Sequence, residues 1–236
     1  MTVGLLGVEL GVIWHLDGRG RLPGPEELVI GVAADGMTAA VRADVPDPVA
    51  TQLLDLVSQG VPSSPGHPPD VLARCDVLLG GGRAVSGGPC YLVRPPLRYE
   101  VPTEVIRSDD PSHAARLRPL RPANWEPGEW DELLAGGAGA PWAMIVEDGQ
   151  VAAICHSARL TSEGAEAGTW TSPAFRGRGY AAATTAAWAG LLPGVRLFYS
   201  TSADNHSSQR VAGRLGLDAI GWLWKLTPSG SAASPT

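Results

Sequence analysis

The sequence is poor in lysine and cysteine. Lysine and arginine together number 18 against 24 acidic residues, and Lys225 is the only lysine, so the net charge is −6. A chain without a basic surface excess is not expected to bind nucleic acid. The three cysteines, Cys75, Cys90 and Cys155, are far apart and form no CxxC pair. This spacing excludes a disulfide scaffold and a cysteine zinc site, and it favours reduced thiols and a cytoplasmic location.

Long hydrophobic runs and metal-ligand spacings are also missing. No run of about 18 uncharged apolar residues occurs, which predicts no transmembrane helix and no membrane partner. The first residues lack a basic segment, and Glu9 interrupts their apolar run, so no signal peptide is expected. The five histidines show no HxH or HxxxH spacing, which predicts no metal site. An apolar content of 44% is enough for a buried core.

The first half of the chain predicts a small α+β domain. Strands are predicted at residues 3–14, 27–34, 37–45, 71–79 and 89–93, with a glycine-rich turn at 80–88. Asp35-Gly36 between two of these runs is a hairpin signal. Asp47 and Pro48 suit the start of a helix that Gly60 can end. The polar segment 107–115 predicts a domain boundary, which gives domains at 1–110 and 111–228 and a flexible tail at 229–236.

The second half predicts alternating strands and helices. Strands are predicted at residues 116–120, 142–147, 150–158, 166–172, 195–202 and 217–226, and helices at 127–135, 179–190 and 206–215. Asp148-Gly149 is the strongest short hairpin signal in the chain. The fold class predicted is α/β, with a mixed central sheet flanked by helices after the smaller α+β N-terminal domain.

One glycine-rich turn predicts an anion site. In Arg176-Gly177-Arg178-Gly179-Tyr180-Ala181 a strand ends just before the turn and an alanine-rich helix begins within it. Backbone N–H groups at such a helix start favour a phosphate or diphosphate. An ordinary tight turn is the alternative. The letters also fit the dinucleotide pattern G-x-G-x-x-A, but Pro173 in the preceding run and the lack of an acidic residue about 20 positions later disfavour it.

Two motifs at the right separation resemble the GNAT acetyltransferase superfamily over residues 116–227. Its diphosphate loop, Arg/Gln-x-x-Gly-x-Gly/Ala, is matched by Arg176, Gly179 and Ala181. Its second motif is matched by Asn205, Ser208, Arg210, Val211, Leu215 and Gly216. The resemblance implies acetyl-CoA as donor, no metal, and direct attack by a primary amine of a small molecule or protein. The N-terminal half would be a substrate-related domain or a degenerate second acetyltransferase unit, and a homodimer stays open.

The resemblance also implies which residues bind acetyl-CoA. The loop amides would hold the diphosphate, the strand around Thr169–Thr171 would run beside the pantetheine, and Asn205 would contact the pantetheine arm. The cofactor-binding candidates are therefore Trp170, Thr171, Arg176, Gly177, Arg178, Gly179, Tyr180, Ala181, Asn205 and Ser208. A backbone N–H on that strand would stabilise the oxyanion of the tetrahedral intermediate.

Two side chains are candidates for the base that takes the proton from the amine. Glu166, before the loop, is a candidate base, with a solvated strand-end glutamate as the alternative. His156 is a second candidate base, with a buried structural histidine as the alternative. Its neighbour Cys155 should face the opposite side of the strand, which disfavours a Cys–His pair.

The usual family tyrosine acid aligns with Ala212 and is absent. Ser208, or Tyr199 from the preceding strand, could replace it. This absence keeps open a non-catalytic acyl-CoA-binding sensor or scaffold. A nucleotide-dependent oxidoreductase, using the glycine-rich turn for NAD(P), is the least favoured reading.

Overall fold

The computed structural model describes residues 2–229, which form seven α-helices and nine strands in two compact units. The helices are Thr2–Trp14 (α1), Asp47–Ser58 (α2), Val71–Leu78 (α3), Pro111–Leu117 (α4), Pro127–Leu134 (α5), Tyr180–Ala189 (α6) and His206–Leu215 (α7). The strands are Leu28–Ala33 (β1), Gly36–Val41 (β2), Ala84–Val93 (β3), Val105–Arg107 (β4), Trp142–Glu147 (β5), Gln150–Leu160 (β6), Gly164–Thr171 (β7), Arg196–Ser200 (β8) and Asp218–Thr227 (β9). The predicted tail lies outside the described residues from residue 230 onward.

The first unit comprises residues 2–91, 200–206 and 219–229. Its strands follow the order β2-β1-β9-β3, and β1 pairs antiparallel with both β2 and β9. The hairpin at Asp35-Gly36 is confirmed. Helices α2 and α3 bury Leu53, Val57 and Leu72 in one apolar cluster with Ile30 of β1. The last strand of the chain therefore completes the sheet of the N-terminal half.

The predicted strand at 3–14 is wrong, because this segment is helix α1. Its apolar residues show no alternation with polar ones, and the buried positions Leu6, Glu9 and Leu10 recur at helical spacing. The carboxylate of Asp35 accepts the backbone N–H groups of Thr2 and Val3 at 2.7 and 2.9 Å. This cap comes from a residue more than 30 positions away, so no local pattern could reveal it.

Two further strand predictions are wrong. Residues 71–79 form helix α3, whose buried Leu72 and Cys75 face α2. Residues 116–120 are the end of α4 and a short 3-10 helix, Arg118–Leu120. Asp110 caps α4 by accepting the N–H of Ser112 at 2.9 Å, and Pro111 takes the first helical position. The predicted turn at 80–88 is shorter, because β3 already begins at Ala84.

The second unit comprises residues 92–199 and 207–218 and has the strand order β8-β7-β6-β5-β4. Neighbouring strands are antiparallel except β7 and β8, which are parallel and joined through α6. The hairpin at Asp148-Gly149 is confirmed, with positive φ at both residues. The helix predicted at 127–135 is also confirmed and buries Trp130 and Leu133. These strands and helices confirm the mixed α/β fold class. The division of the chain into two functional domains at residue 110 stays a prediction.

The indole of Trp188 fixes α6 to the sheet. Trp188 is fully buried, and its Nε1 donates to Ser157 Oγ of β6 at 3.1 Å. We expect Trp188→Phe to lower the free energy of unfolding by about 2 kcal/mol, because the smaller ring leaves a void and removes the donor. Urea denaturation measures the change. Leu160→Ala, at an exposed position of β6, is the control and should stay within about 0.5 kcal/mol of the parent. An equal loss in both variants would contradict this role.

Candidate functional site

Strands β7 and β8 run side by side and then part. They pair in parallel at Gly164–Arg196, Ala165–Leu197 and Glu166–Phe198. Among the described residues the ladder ends there, while β7 continues to Thr171 in pairing with β6. Beyond the last pair, Thr169 Oγ1 and Tyr199 Oη lie 3.4 Å apart. The two strands therefore part after Glu166, and the edge of β7 that faces β8 is open beside residues 167–171.

A compact turn leads from the open end of β7 into α6. A 3-10 helix, Pro173–Phe175, is followed by Gly177 and Gly179, which have φ values of 83° and 85°. Residues with side chains rarely adopt this left-handed conformation, so both positions favour glycine. Gly179 is the residue that caps the N-terminus of α6.

The turn presents a continuous row of backbone donors. Ala183 is the first residue of α6 whose N–H donates to the turn, and its acceptor is the Gly179 carbonyl at 3.1 Å. Within residues 2–229, the N–H groups of residues 177–182 donate no hydrogen bond. These six amides lie at the positive end of the α6 dipole. The arrangement can hold an anion with several oxygens, such as a diphosphate.

The two arginines of the turn differ in what they contact. Arg178 Nη1 donates to Glu147 Oε1 at 2.9 Å, and Tyr180 Oη donates to Glu147 Oε2 at 2.6 Å. The guanidinium of Arg178 also lies 5.0 Å from the centre of the Phe175 ring. Arg176 donates from Nε to the Thr171 carbonyl at 3.4 Å and forms no ion pair with an acidic side chain of residues 2–229. Arg176 is therefore the uncompensated positive charge of the turn.

Two contacts of the turn were missed by sequence reasoning. Glu147, at the end of β5, accepts hydrogen bonds from the side chains of both Arg178 and Tyr180. Tyr99 packs against Gly179, and a Cβ built on that glycine would lie 2.9 Å from the Tyr99 hydroxyl oxygen. Tyr99 belongs to the irregular segment between β3 and β4, where no periodicity gives a signal. The sequence pattern along β5 predicts that the strand ends at Glu147, but it does not predict what the Glu147 side chain contacts.

His156 is partly buried and packs against Trp125 and Gly168. Its ring meets Trp125 edge-on, with centroids 5.1 Å apart, and its Nε2 lies 2.5 Å from where a Cβ on Gly168 would stand. Its Nδ1 is a buried atom without a hydrogen-bond partner in residues 2–229. Burial and, to a smaller extent, the nearby charge of Arg159 lower the pKa of His156 to about 4. The imidazole is therefore neutral near pH 7.

Glu166 lies at the last pair before the strands part and is 6% exposed. Alternation puts Glu166, Gly168 and Trp170 on one face of β7, the face that His156 covers. Cys155 faces the other side, where it hydrogen-bonds to Thr185 of α6, and burial raises the pKa of its thiol. The structure thus brings Glu166 and His156 to one face and separates the adjacent Cys155 and His156.

Ser208 meets Tyr199 near the opening. The two hydroxyl groups are hydrogen-bonded, and Tyr199 also contacts Thr169, so three hydroxyls from β7, β8 and α7 form a chain. Burial raises the pKa of Tyr199. Ala212, one turn after Ser208, is 1% exposed and belongs to the packed interior of the second unit.

The remaining predicted binding residues have simpler surroundings. Trp170 is half-buried against the cluster that contains Trp130 and Ile154. The carbonyl of Ala181 accepts the hydroxyl of Thr185 at 2.7 Å. Asn205 is exposed in the turn before α7, where its N–H donates to the Ser202 carbonyl at 3.1 Å, and it belongs to the first unit.

Other kinds of site were also sought. No group of three or more His, Cys, Asp or Glu side chains suited to a metal ion occurs among residues 2–229. All three cysteines are buried free thiols. No helix in the described part of the chain is long and apolar enough to cross a membrane.

The low pKa of His156 makes stability depend on pH. As the pH falls from above 6.5 towards 4, the unfolded chain binds a proton at this residue and the folded chain does not, so folding weakens. At about 1.4 kcal/mol per pKa unit, the loss amounts to about 3 kcal/mol at full extent. We expect His156→Gln to remove this part of the pH dependence in urea denaturation at pH 7.5 and 4.5. If the free energy of unfolding falls equally for the variant and the parent between these two pH values, the pKa of His156 is not lowered in the folded protein and the prediction is wrong.

Comparison with known proteins gives one family. The sequence model described as Acetyltransferase (GNAT) domain matches residues 99–218. A GNAT acetyltransferase structure from Colwellia psychrerythraea is 14% identical, covers 84% of this chain and 81% of its own, and has a TM-score of 0.47. A putative GNAT acetyltransferase from Novosphingobium aromaticivorans is 22% identical, with coverages of 82% and 84% and a TM-score of 0.45.

A third structure is that of AAC(6′)-Iy in complex with the bisubstrate analogue CoA-S-monomethyl-acetylneamine. It is 21% identical, covers 49% of this chain and 90% of its own, and has a TM-score of 0.37. No curated protein sequence matches this chain. The family model spans 120 of the 236 residues and includes the glycine turn and the Asn205–Ser208 motif. The chain therefore belongs to the GNAT acetyltransferase family.

Proposed function

We propose that the protein is an N-acetyltransferase that moves the acetyl group of acetyl-CoA to a primary amine of a small molecule or protein. The row of six unpaired amides at the start of α6, beside the parting of β7 and β8, is the observation that carries this proposal. Membership of the acetyltransferase family supports acyl transfer. The buried free thiols support a reducing, cytoplasmic setting.

The residues fit acetyl-CoA as follows. The amides of residues 177–182 bind the diphosphate, and Arg176 adds the charge that no acidic side chain compensates. The backbone of β7 at Trp170 and Thr171 lies along the open edge, where the pantetheine would pair with it. Arg178, Tyr180 and Ala181 contribute backbone donors. Ser208 is assigned to the pantetheine side on the basis of the family motif.

In the proposed reaction the amine attacks the thioester carbonyl carbon in the ternary complex. A bond forms between nitrogen and carbon, the carbon–sulfur bond breaks, and CoA leaves as its thiol or thiolate. Glu166 is the proposed acceptor for the ammonium proton, because it lies where the strands open. His156 is neutral and is proposed to orient a water on the same face. The Ser208–Tyr199 pair is the proposed proton source for the leaving sulfur.

A charge placed in the glycine turn tests the diphosphate site. A Cβ at Gly177 meets no atom within 4 Å, and Asn and Asp both tolerate its positive φ. We expect Gly177→Asp to weaken acetyl-CoA binding at least about tenfold relative to Gly177→Asn, because only the carboxylate repels the phosphates. Calorimetric titration measures both affinities. Equal affinities of two folded variants would contradict a diphosphate in this turn.

The two arginines should respond differently to substitution. We expect Arg176→Gln to raise the KM for acetyl-CoA about tenfold, since its charge is free for a phosphate. Arg178→Gln should change KM about twofold or less, because that charge is paired with Glu147. The salt dependence of KM provides a second measure, and it should be shallower for Arg176→Gln than for the parent. A larger effect at Arg178 would reverse the assignment.

A non-catalytic acyl-CoA sensor is the second candidate. Two observations favour it: Ala212 replaces the family tyrosine, and the low pKa of His156 makes it a weak base. Release of free thiol from acetyl-CoA in the presence of an amine panel separates the candidates. Tight binding of acetyl-CoA without thiol release on any amine would favour the sensor.

A further inference from the structure

We propose that Tyr99 completes the diphosphate site by donating its hydroxyl to the bound phosphates, and so makes the enzyme select CoA thioesters over thioesters without a diphosphate. This inference rests on the proposed function. It adds a side-chain contact from a segment that lies far from the glycine turn in sequence.

The first observation is the position of the ring. Tyr99 lies against the glycine that caps α6, and a Cβ on Gly179 would come within 2.8 Å of Cε1 and 2.9 Å of the hydroxyl oxygen. The hydroxyl end of the side chain therefore points at the turn. Gly179 is needed here for two reasons, its positive φ and the close approach of this ring.

The second observation is that the Tyr99 hydroxyl is not used within the protein. Among residues 2–229 it makes no hydrogen bond, although the side chain is only partly exposed. It stands beside amides that are unpaired in the same way. A hydroxyl and a row of N–H groups that lie at the same turn without an internal acceptor are suited to one anionic ligand.

The third observation is that the position of the ring is well supported. Tyr99 packs against two apolar clusters, one containing Phe175 and Tyr180 and the other containing Ala182 and Leu215. A few residues later, Thr103 Oγ1 lies 3.3 Å from Tyr180 Oη. The segment is thus held to α6 on both sides of Tyr99, and little ordering is needed when the ligand binds.

The fourth observation concerns the side chains of the turn itself. Arg178 and Tyr180 both donate to Glu147, so the charge of Arg178 is paired and the hydroxyl proton of Tyr180 is used. Arg176 is the side chain of the turn whose charge is not paired with an acidic side chain of residues 2–229. Tyr99 supplies the neutral donor that the turn lacks. A donor placed on the diphosphate discriminates against ligands without that group, since its hydrogen bond is then lost.

The test compares two acyl donors in Tyr99→Phe, which removes only the hydroxyl. With acetyl-CoA we expect the KM and the Kd to rise at least about tenfold at unchanged kcat, the effect of one hydrogen bond to a charged group. With S-acetylpantetheine, which has no diphosphate, kcat/KM should stay the same. Inorganic diphosphate, used as a competitor of acetyl-CoA, should show a matching rise in its inhibition constant. Tyr91→Phe is the matched control, because Tyr91 is a partly exposed tyrosine of β3, and it should leave the kinetics with both donors unaffected.

Each outcome bears on the proposal. An equal loss with both donors would show that Tyr99 acts only through packing, and an unchanged Kd for acetyl-CoA would show that its hydroxyl is unused; either result overturns the inference. If Tyr99→Phe melts at a lower temperature, Tyr99→Leu repeats the comparison with a different packing, and the ratio between the two donors remains the readout. A parent protein that binds no acetyl-CoA overturns the proposed function instead, a result visible before any variant is made.

Discussion

Parallel pairing of β7 with β8 is the constraint on which the candidate site depends. Parallel neighbours need a crossover, and here α6 supplies it, so the helix must begin where β7 ends. The chain reverses within a few residues and needs two left-handed positions, Gly177 and Gly179. The same geometry leaves the first amides of α6 without partners and opens the strands beyond Glu166. The row of unpaired amides and the opening between the strands are thus two consequences of one connection.

The charges around this turn are arranged so that one cation stays available. Glu147 accepts from both Arg178 and Tyr180, which fixes the outer side of the turn against β5. Surface ion pairs of this kind add little to stability, about 0–1 kcal/mol. Their effect here is positional, because they hold two long side chains away from the amides. Arg176 and the helix dipole then provide the positive field for an anion.

Local chemistry made part of this structure predictable. The turns at Asp35-Gly36 and Asp148-Gly149, the glycine turn before α6 and the amphipathic α5 each carry their signal within a few residues. Helices α1 and α3 did not, because their uniformly apolar or short sequences fit a strand equally well and only packing against β1, β2 or α2 decides between them. Tyr99 lies about 80 positions before Gly179 in the sequence, and Glu147 lies about 32 positions before it. Such contacts depend on the whole fold and leave no mark in local sequence.

The environment of His156 limits what it can do in catalysis. An alkyl ammonium has a pKa near 10, as lysine does, so passing its proton to an imidazole of pKa about 4 is uphill by roughly 8 kcal/mol. A step with that cost would add greatly to the barrier, and a buried neutral ring is better suited to accept one hydrogen bond from a water. Glu166 lies on the same face and at the opening itself. The imidazole is therefore not the group that takes the ammonium proton, and its proposed role is to position a water on the face that it shares with Glu166.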